Sequence, residues 1–259
     1  MSFKQAIFSG CKHTHLGMGI FAGSPDSYKA FAPLMDRVIE SYHGHKPGAI
    51  HKADMDYTKL KCPPFSAEDD AMIKSTRIRV ARSLKDMPMG ACCSKEERKK
   101  VEEMLTSALD QFDGDLKGTY YSLESMSQEE EAKLIDDHFL FKNGKDNTEA
   151  CGLERDWPSG RGIFHNDAKT FLSWINEEDE LRIISMQKGS NLGEVFERLS
   201  KAAALFETKA PFVLDDHLGF VVSCPTNLGT GLRGSMHVHL PNLGKNMHHF
   251  ESIAAKHFV

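Results

Sequence analysis

The segment STRIRVARS, residues 75–83, sets Arg77 and Arg79 two positions apart. On a strand, side chains alternate between faces, so both guanidiniums share one face while Ile78 and Val80 take the other. Adjacent guanidiniums repel unless an anion lies between them, and planar, multidentate donors suit phosphate. Arg182, in NEEDELRIISM, and Arg233, in GTGLRGS, also fall in strand or strand-edge surroundings. Four such arginines in a chain of net charge −5 suggest a phosphate cradle; surface salt bridges with some of the 37 acidic residues are the alternative. The run NEEDE, Asn176 to Glu180, holds four carboxylates at the mouth of a strand. It reads either as a solvated turn or as a carboxylate group that receives and orients a cation.

The stretch SCPTNLGTGLRGSMHVHL, residues 223–240, carries two further signals. Gly229, Gly231 and Gly234 spell G-x-G-x-x-G, but a dinucleotide-binding turn must open a helix. Here GSMHVHLP alternates and stops at Pro241, so the glycines predict a tight turn between strands. Cys224 is either a buried, inert thiol or a reactive one, with the backbone N–H groups of the Pro225–Asn227 turn and the Thr226 hydroxyl placed to stabilise a thiolate. Thirteen histidines are too many to single out a base. His237 and His239 make a chelate-like pair on a strand with no third ligand of clear spacing, and His248-His249 is no stronger; no metal site is predicted.

Composition narrows the class. With 40% hydrophobic and 27% charged residues over 259 positions, the chain reads as an ordinary globular protein able to bury a core without disulfides. The negative net charge argues against general nucleic-acid or anionic-membrane binding. The six cysteines form no C-x-x-C pair, which favours free thiols in a reducing compartment. No apolar run has signal-peptide or transmembrane character, so a cytoplasmic location is expected.

The elements that must position these residues are partly readable. Residues 24–43, opening on Ser24-Pro25, carry Phe31, Leu34, Met35, Val38, Ile39 and Tyr42 at helical spacing and predict one helix. A polar, proline-containing stretch follows and reads as a linker, giving a helical piece over 1–45, a linker over 46–71 and a larger domain over 72–259. Ser94 with Glu97, and Ser127 with Glu130, form capping boxes, and a third helix starts near Asn191. Strands are predicted over 72–81, 162–165, 170–176, 181–187, 219–223 and 235–240. Several of these follow one another with no helix between them, so the fold class is α+β, an antiparallel sheet flanked by helices.

Taken together, CPTNLGT (224–230), STRIRVARS, LIDDHFLFK, GRGIFHND and NEEDELRIISMQ resemble, in order, the signature blocks of the phosphagen (ATP:guanidino) kinases. The resemblance runs from about Gly17 to Leu240 and implies a small all-helical N-terminal domain beside a catalytic domain built on an antiparallel sheet. It implies reversible transfer of the ATP γ-phosphoryl group to a guanidino substrate, with ATP or ADP bound alongside Mg²⁺ held through the phosphates. It assigns nucleotide contacts to Ser75, Thr76, Arg77, Ile78, Arg79, His138, Arg182, Arg233, Gly234, Ser235, Met236 and His237. Gly17, Met18, Gly19, Ile20 and Phe21 resemble the substrate-specificity loop. Glu178 resembles the carboxylate that orients the guanidinium, and Cys224, supported by Thr226, a thiolate lying against it rather than a covalent nucleophile.

Tyr42 and the short HLGMGIFAG spacing are similar to arginine kinases. Phe21 stands where many of those have Tyr, and His15 with Asp146 where many pair an Asp with an Arg. The expected substrate is therefore a small guanidine, L-arginine first and a taurocyamine-type guanidine second. Family members continue past this chain with a mobile loop, a further arginine and a second glutamate, and also carry additional small-domain helices. The sequence alone thus leads us to expect a truncated kinase with weakened nucleotide binding, little turnover and an unpaired sheet edge, or a catalytically inactive relative. It does not choose between monomer and homodimer.

Overall fold

A computed structural model describes residues 1–257. Capping boxes open three helices as their sequences dictate. Ser2 and Gln5 start α1 (Phe3–Lys12), Ser94 and Glu97 start α5 (Lys95–Leu109), and Ser127 and Glu130 start α6 (Gln128–Asp136). In each, a serine oxygen accepts an orphan backbone N–H while the third residue's side chain accepts the serine N–H. The first of these helices was not among those predicted, although S-x-x-Q marks it. Asn191 caps α8 (Leu192–Glu207) through the Glu194 N–H.

The single helix predicted over 24–43 is two, α2 (Asp26–Ala30) and α3 (Ala32–His43), which part at Phe31 with φ −112° and ψ 23°. Pro33 is the physical cause: it has no N–H for the preceding turn, and its ring would strike the carbonyl four residues back. Gly44, left-handed at φ +67°, closes α3. The stretch 46–71 is mostly irregular, with a 3₁₀ turn at Tyr57–Lys59 and the short α4 (Ala67–Met72).

The central sheet is antiparallel throughout. Its strands are β1 (Ile73–Arg82), β2 (Gly118–Ser122), β3 (Gly162–Asn166), β4 (Phe171–Ile175), β5 (Leu181–Lys188) and β8 (Leu232–Val238), in the order β2-β3-β4-β5-β1-β8. A separate two-stranded pair, β6 (Leu214–Asp215) and β7 (Gly219–Phe220), sits before β8. The strand predicted over 219–223 is therefore only two residues long, because the backbone of 222–225 is bonded to the N-terminal segment instead. The last strand begins at Leu232 rather than Ser235. The β2 strand was not predicted. It starts at Gly118, where an added Cβ would come within 2.2 Å of the His165 carbonyl oxygen, so only glycine lets β2 approach β3 there.

Helices α5 and α8 cover one face of the sheet. Ile78, Val80, Phe164, Phe171 and Ile183 pack there against Leu105, Leu199 and Phe206. The other face buries a second cluster, Ile163, Leu172 and Ile184 with Leu140 and Phe141, at the β3–β5 end. It leaves the β5–β1–β8 end to charged side chains. Among the described residues β8 is an edge strand, with Leu232 and Val238 exposed. A short α7 (Asp146–Ala150) packs on α1, and α9 (Met247–His257) follows β8.

Candidate active site

Strand alternation sorts the residues of β1. Thr76, Ile78 and Val80 are buried on the core face, while Arg77 and Arg79 stand on the other. Arg233 lies directly across from Arg79 on β8, and Arg182 across from Ala81 on β5, so the register brings all four expected arginines onto neighbouring strands. The crowding is visible in their acidity. Burial, with the charges of Arg79, Arg233 and Arg182, pushes the Arg77 guanidinium down to about 10. Arg79 is lowered by burial and by Arg182 and Arg233, against a smaller pull from Glu177 and Glu178. Each guanidinium still carries its charge at neutral pH, so the shared face is electropositive and suited to an anion.

Ser75, Ser235 and His237 share the arginine face, with Ser75 Oγ 3.2 Å from His237 Nδ1 and Ser235 Oγ donating to the Arg77 carbonyl at 3.4 Å. Gly234 and Met236 pair with Ile78 and Thr76. The side chains of Thr76 and Ile78 are committed elsewhere, Thr76 Oγ1 donating to the Gly189 carbonyl at 2.8 Å and Ile78 sitting in the core, so only their backbone is left for a ligand. His138 is exposed at φ +62°, on the turn after α6.

Arg182 is ion-paired, whereas the other three form no salt bridge among the described residues. Its guanidinium meets Glu177 at 2.7 Å, Asp179 at 3.1 Å and Glu178 at 3.3 Å. Burial opposes its charge, but Glu177, Asp179 and Glu178 hold its pKa above the usual arginine range. Burial raises Asp179 despite the pull of Arg182, and it pushes Glu180 up to about 8, with Ser83 Oγ donating to Glu180 Oε2 at 2.7 Å. The NEEDE run is thus a buried ion cluster, not a solvated turn. Asn176 tightens it, adopting φ +55° and donating from Nδ2 to the Arg98 and Gly160 carbonyls. Glu178 keeps one oxygen toward Arg182 and receives Asn227 Nδ2 at 3.3 Å on the other.

Cys224 is 5% exposed, in one buried cluster with Phe21, Ala91, Cys151 and Leu153. Its Sγ lies 3.1 Å from Thr226 Oγ1. Burial first, then the Glu178 charge, pushes the thiol up to about 12, against the stabilising hydrogen bonds from Thr226. Burial and the neighbouring carboxylates thus favour the thiol over the expected thiolate. The backbone around it is held by the N-terminal segment. Ala22 N–H donates to the Ser223 carbonyl at 2.7 Å, Ser223 Oγ to the Ala22 carbonyl at 2.8 Å, Tyr28 Oη to the Val222 carbonyl at 2.8 Å, and His43 Nε2 to the Pro225 carbonyl at 2.7 Å.

The 17–21 loop reaches this cluster through Phe21 and Met18, with Ile20 buried beside it and Gly17 exposed. Gly19 touches α1 so closely that an added Cβ would fall 2.2 Å from the Gly10 Cα. His13, rather than His15, faces Asp146, at 3.9 Å. Tyr42 is 59% exposed at the rim of a cavity of about 770 Å³, into which Arg79, Arg182, Arg233, Thr226 and Asn227 also open. Gly229 and Gly231 adopt φ +84° and +59° and turn the chain directly into β8, with no helix following, so the glycine pattern is a strand-to-strand turn. Sequence reasoning missed Asn227, Asn176, Lys145, Tyr28 and His43. Asn227 alone carried a local signal, in the turn already tied to Cys224.

Comparison with known proteins agrees with this geometry. Residues 1–40 match the family model ATP:guanido phosphotransferase, N-terminal domain, and residues 100–259 the model ATP:guanido phosphotransferase, C-terminal catalytic domain. The chain is 46% identical over 254 residues to arginine kinase Lit v 2.0101 of Penaeus vannamei, covering 98% of itself and 71% of that relative. It is 45% identical over 252 residues to arginine kinase of Limulus polyphemus, covering 97% of itself and 71% of the relative. A crystal structure of lombricine kinase superposes with TM-score 0.90 at 38% identity, over 97% of this chain and 70% of that one. The duplicated taurocyamine kinase of Schistosoma mansoni, with bound transition state analog components, superposes with TM-score 0.89 at 36% identity, over 99% of this chain and 36% of that one. No described helix is long and apolar enough to cross a membrane. An arginine-lined sheet face beside a carboxylate–thiol pocket is what transfer of phosphoryl from ATP to a guanidino group calls for, and the chain belongs to the ATP:guanido phosphotransferase family.

Proposed function

We propose that this chain phosphorylates free L-arginine from ATP, reversibly. Residues 1–45 serve as the small helical domain, 46–71 as its linker and 72–259 as the catalytic domain. The observation that supports this most is the adjacency of two oppositely charged surfaces: Arg77, Arg79 and Arg233, which form no salt bridge among the described residues, and Glu178, whose charge acts on the Cys224 thiol and which meets Arg182.

Arg77, Arg79 and Arg233 grip the nucleotide phosphates, with Ser75, Ser235, His237 and the backbone of Thr76, Ile78, Gly234 and Met236 along the same strands and His138 at the periphery. Arg182 bridges the two surfaces, held by three carboxylates. The arginine face would hold the nucleotide with Mg²⁺ on its phosphates, where the ion would supply charge neutralisation for the transfer. Glu178 orients the guanidinium and accepts its proton as the nitrogen attacks. A bound guanidinium lowers the Cys224 pKa by direct attraction, so substrate draws the thiol toward thiolate. The Gly17–Phe21 loop closes over the rest of the substrate, and Tyr42 lies at the mouth. Positioning and charge compensation carry most of such a reaction.

The test is a coupled assay with ATP and Mg²⁺ across L-arginine, taurocyamine and lombricine, with ADP binding measured in parallel. Turnover on arginine above the others supports the proposal. Preference for taurocyamine or lombricine would move the substrate within the family. ADP binding without turnover on any guanidine would identify a nucleotide-binding relative instead.

A further inference from the structure

The segment 142–148 forms a wall in front of Glu177 and Glu178 without belonging to a strand or a long helix. Phe141, Lys145, Thr148, Glu154, Glu177 and Glu178 line one small cavity there. Such a segment needs an anchor, because loops of this kind are held only by what their backbone bonds to.

Most of the side-chain bonds to its first turn come from Glu154. The Glu154 carboxylate accepts the Gly144 N–H at 2.7 Å on one oxygen. On the other it accepts the Lys145 N–H at 3.1 Å and Thr148 Oγ1 at 2.5 Å. Two consecutive amides converging on a carboxylate make an anion nest, and Gly144, at φ +78°, supplies the left-handed residue that turns them inward. The half-buried carboxylate thus accepts three charge-assisted hydrogen bonds from one short turn.

Holding that turn fixes two contacts at the substrate side. Lys145 Nζ is set 3.7 Å from Glu177 Oε1, so Glu177 is shared between Lys145 and Arg182. Asp146 is set against His13, while Ser9 Oγ donates to the Asn147 carbonyl at 3.1 Å, tying the same turn to α1. Glu177 thus meets two cations, whereas Glu178 meets Arg182 and the neutral Asn227 amide, which makes Glu178 the less compensated carboxylate toward an incoming guanidinium.

We propose that Glu154 is a positioning residue for the guanidine site, clamping residues 144–148 so that Lys145 occupies Glu177 and leaves Glu178 to the substrate. This rests on the guanidine-site reading above. Its test therefore has one arm that needs no guanidine. In the full chain, Glu154→Ala should speed amide exchange across 144–148 and leave β5 and α8 unchanged. Glu154→Gln, which keeps an acceptor oxygen but not the charge, should fall between the two and serves if the alanine variant does not fold.

In the second arm, equilibrium binding of L-arginine should weaken about tenfold in Glu154→Ala, with ADP affinity within about twofold, as expected for misplacing one wall of a site. Unchanged exchange at 144–148 overturns the clamp. Faster exchange with unchanged arginine affinity overturns its link to the substrate. Equal loss of ADP and arginine affinity reduces Glu154 to general structural support. If the parent chain binds no guanidine, the guanidine-site reading fails, and with it the role in substrate positioning; the exchange arm then reports on the clamp alone.

Discussion

Replacing Arg79 by alanine should move stability and nucleotide affinity in opposite directions. Arg79 faces Arg233 directly across the β1–β8 ladder and has Arg182 as a further cationic neighbour. Like charges opposite each other on a sheet cost about 0.2–1 kcal/mol per pair. Arg79→Ala removes that direct encounter and the diagonal one with Arg182, and also lightens the load on Arg77, whose guanidinium is held down at about 10. The ligand-free protein should therefore gain about 0.5–1 kcal/mol, or about 1–4 °C in Tm for a chain of this size. Some packing of the arginine stem is lost, which makes that gain an upper figure. A charge-assisted hydrogen bond to phosphate is worth about 1.5–3 kcal/mol, so ADP affinity should fall about 10- to 150-fold. Thermal melts without nucleotide and calorimetric titration with ADP and Mg²⁺ measure the two terms separately. A variant that melts lower and binds ADP as well as the parent would show that Arg79 is a structural residue and that the arginine face is not a phosphate cradle.

Burial holds Glu180 in its neutral form up to about pH 8, and the sign of the consequence is definite. A raised folded-state pKa contributes stability that is complete below the unfolded value near 4.3 and lost as pH rises toward 8, at no more than about 1.4 kcal/mol per pH unit. Glu180→Gln, shaped like the neutral acid, should flatten urea-denaturation stability between pH 5 and 8; an unchanged slope would remove Glu180 as its source. Cys224, with its thiol at about 12, should alkylate with iodoacetamide at pH 7.5 far more slowly than exposed Cys11 and Cys62, as resolved by peptide mass spectrometry. Labelling of all three at similar rates would contradict its burial and its protonation. Val238 is 45% exposed on the edge strand β8, so Val238→Lys should slow aggregation followed by light scattering without altering ADP affinity. Equal aggregation would place the sticky surface elsewhere.

The parts legible from sequence were those governed by local rules. Alternation along STRIRVARS separated Arg77 and Arg79 from Ile78 and Val80, and the serine–glutamate pairs marked α5 and α6 within one residue. The antiparallel order followed from strands with no helices between them. What stayed hidden depends on contacts between distant segments. The three carboxylates bonded to Arg182 stand just before it in the sequence, but their burial depends on the packing around them, because the same residues in an open turn would be solvated. The protonation of Cys224 depends on a pocket assembled from Phe21, Ala91, Cys151 and Leu153, over a span of more than two hundred positions. His13 facing Asp146 in place of His15 reflects how α1 ends and how α7 docks on it, which spacing alone does not determine.

The three N-terminal residues that hold the backbone around Cys224 stand 182, 194 and 201 positions away from their partners. Closing a loop of that length costs about 5 kcal/mol in chain entropy before any contact repays it. The Cys224 segment therefore cannot take its final shape from its own neighbours. During synthesis, Ala22, Tyr28 and His43 leave the ribosome long before Val222 to Pro225 exist, and their donors wait in water until nearly the whole catalytic sheet has been made. The pocket around Cys224 is thus among the last parts of the molecule to be completed, and among the first to be lost when the N-terminal helices lift away.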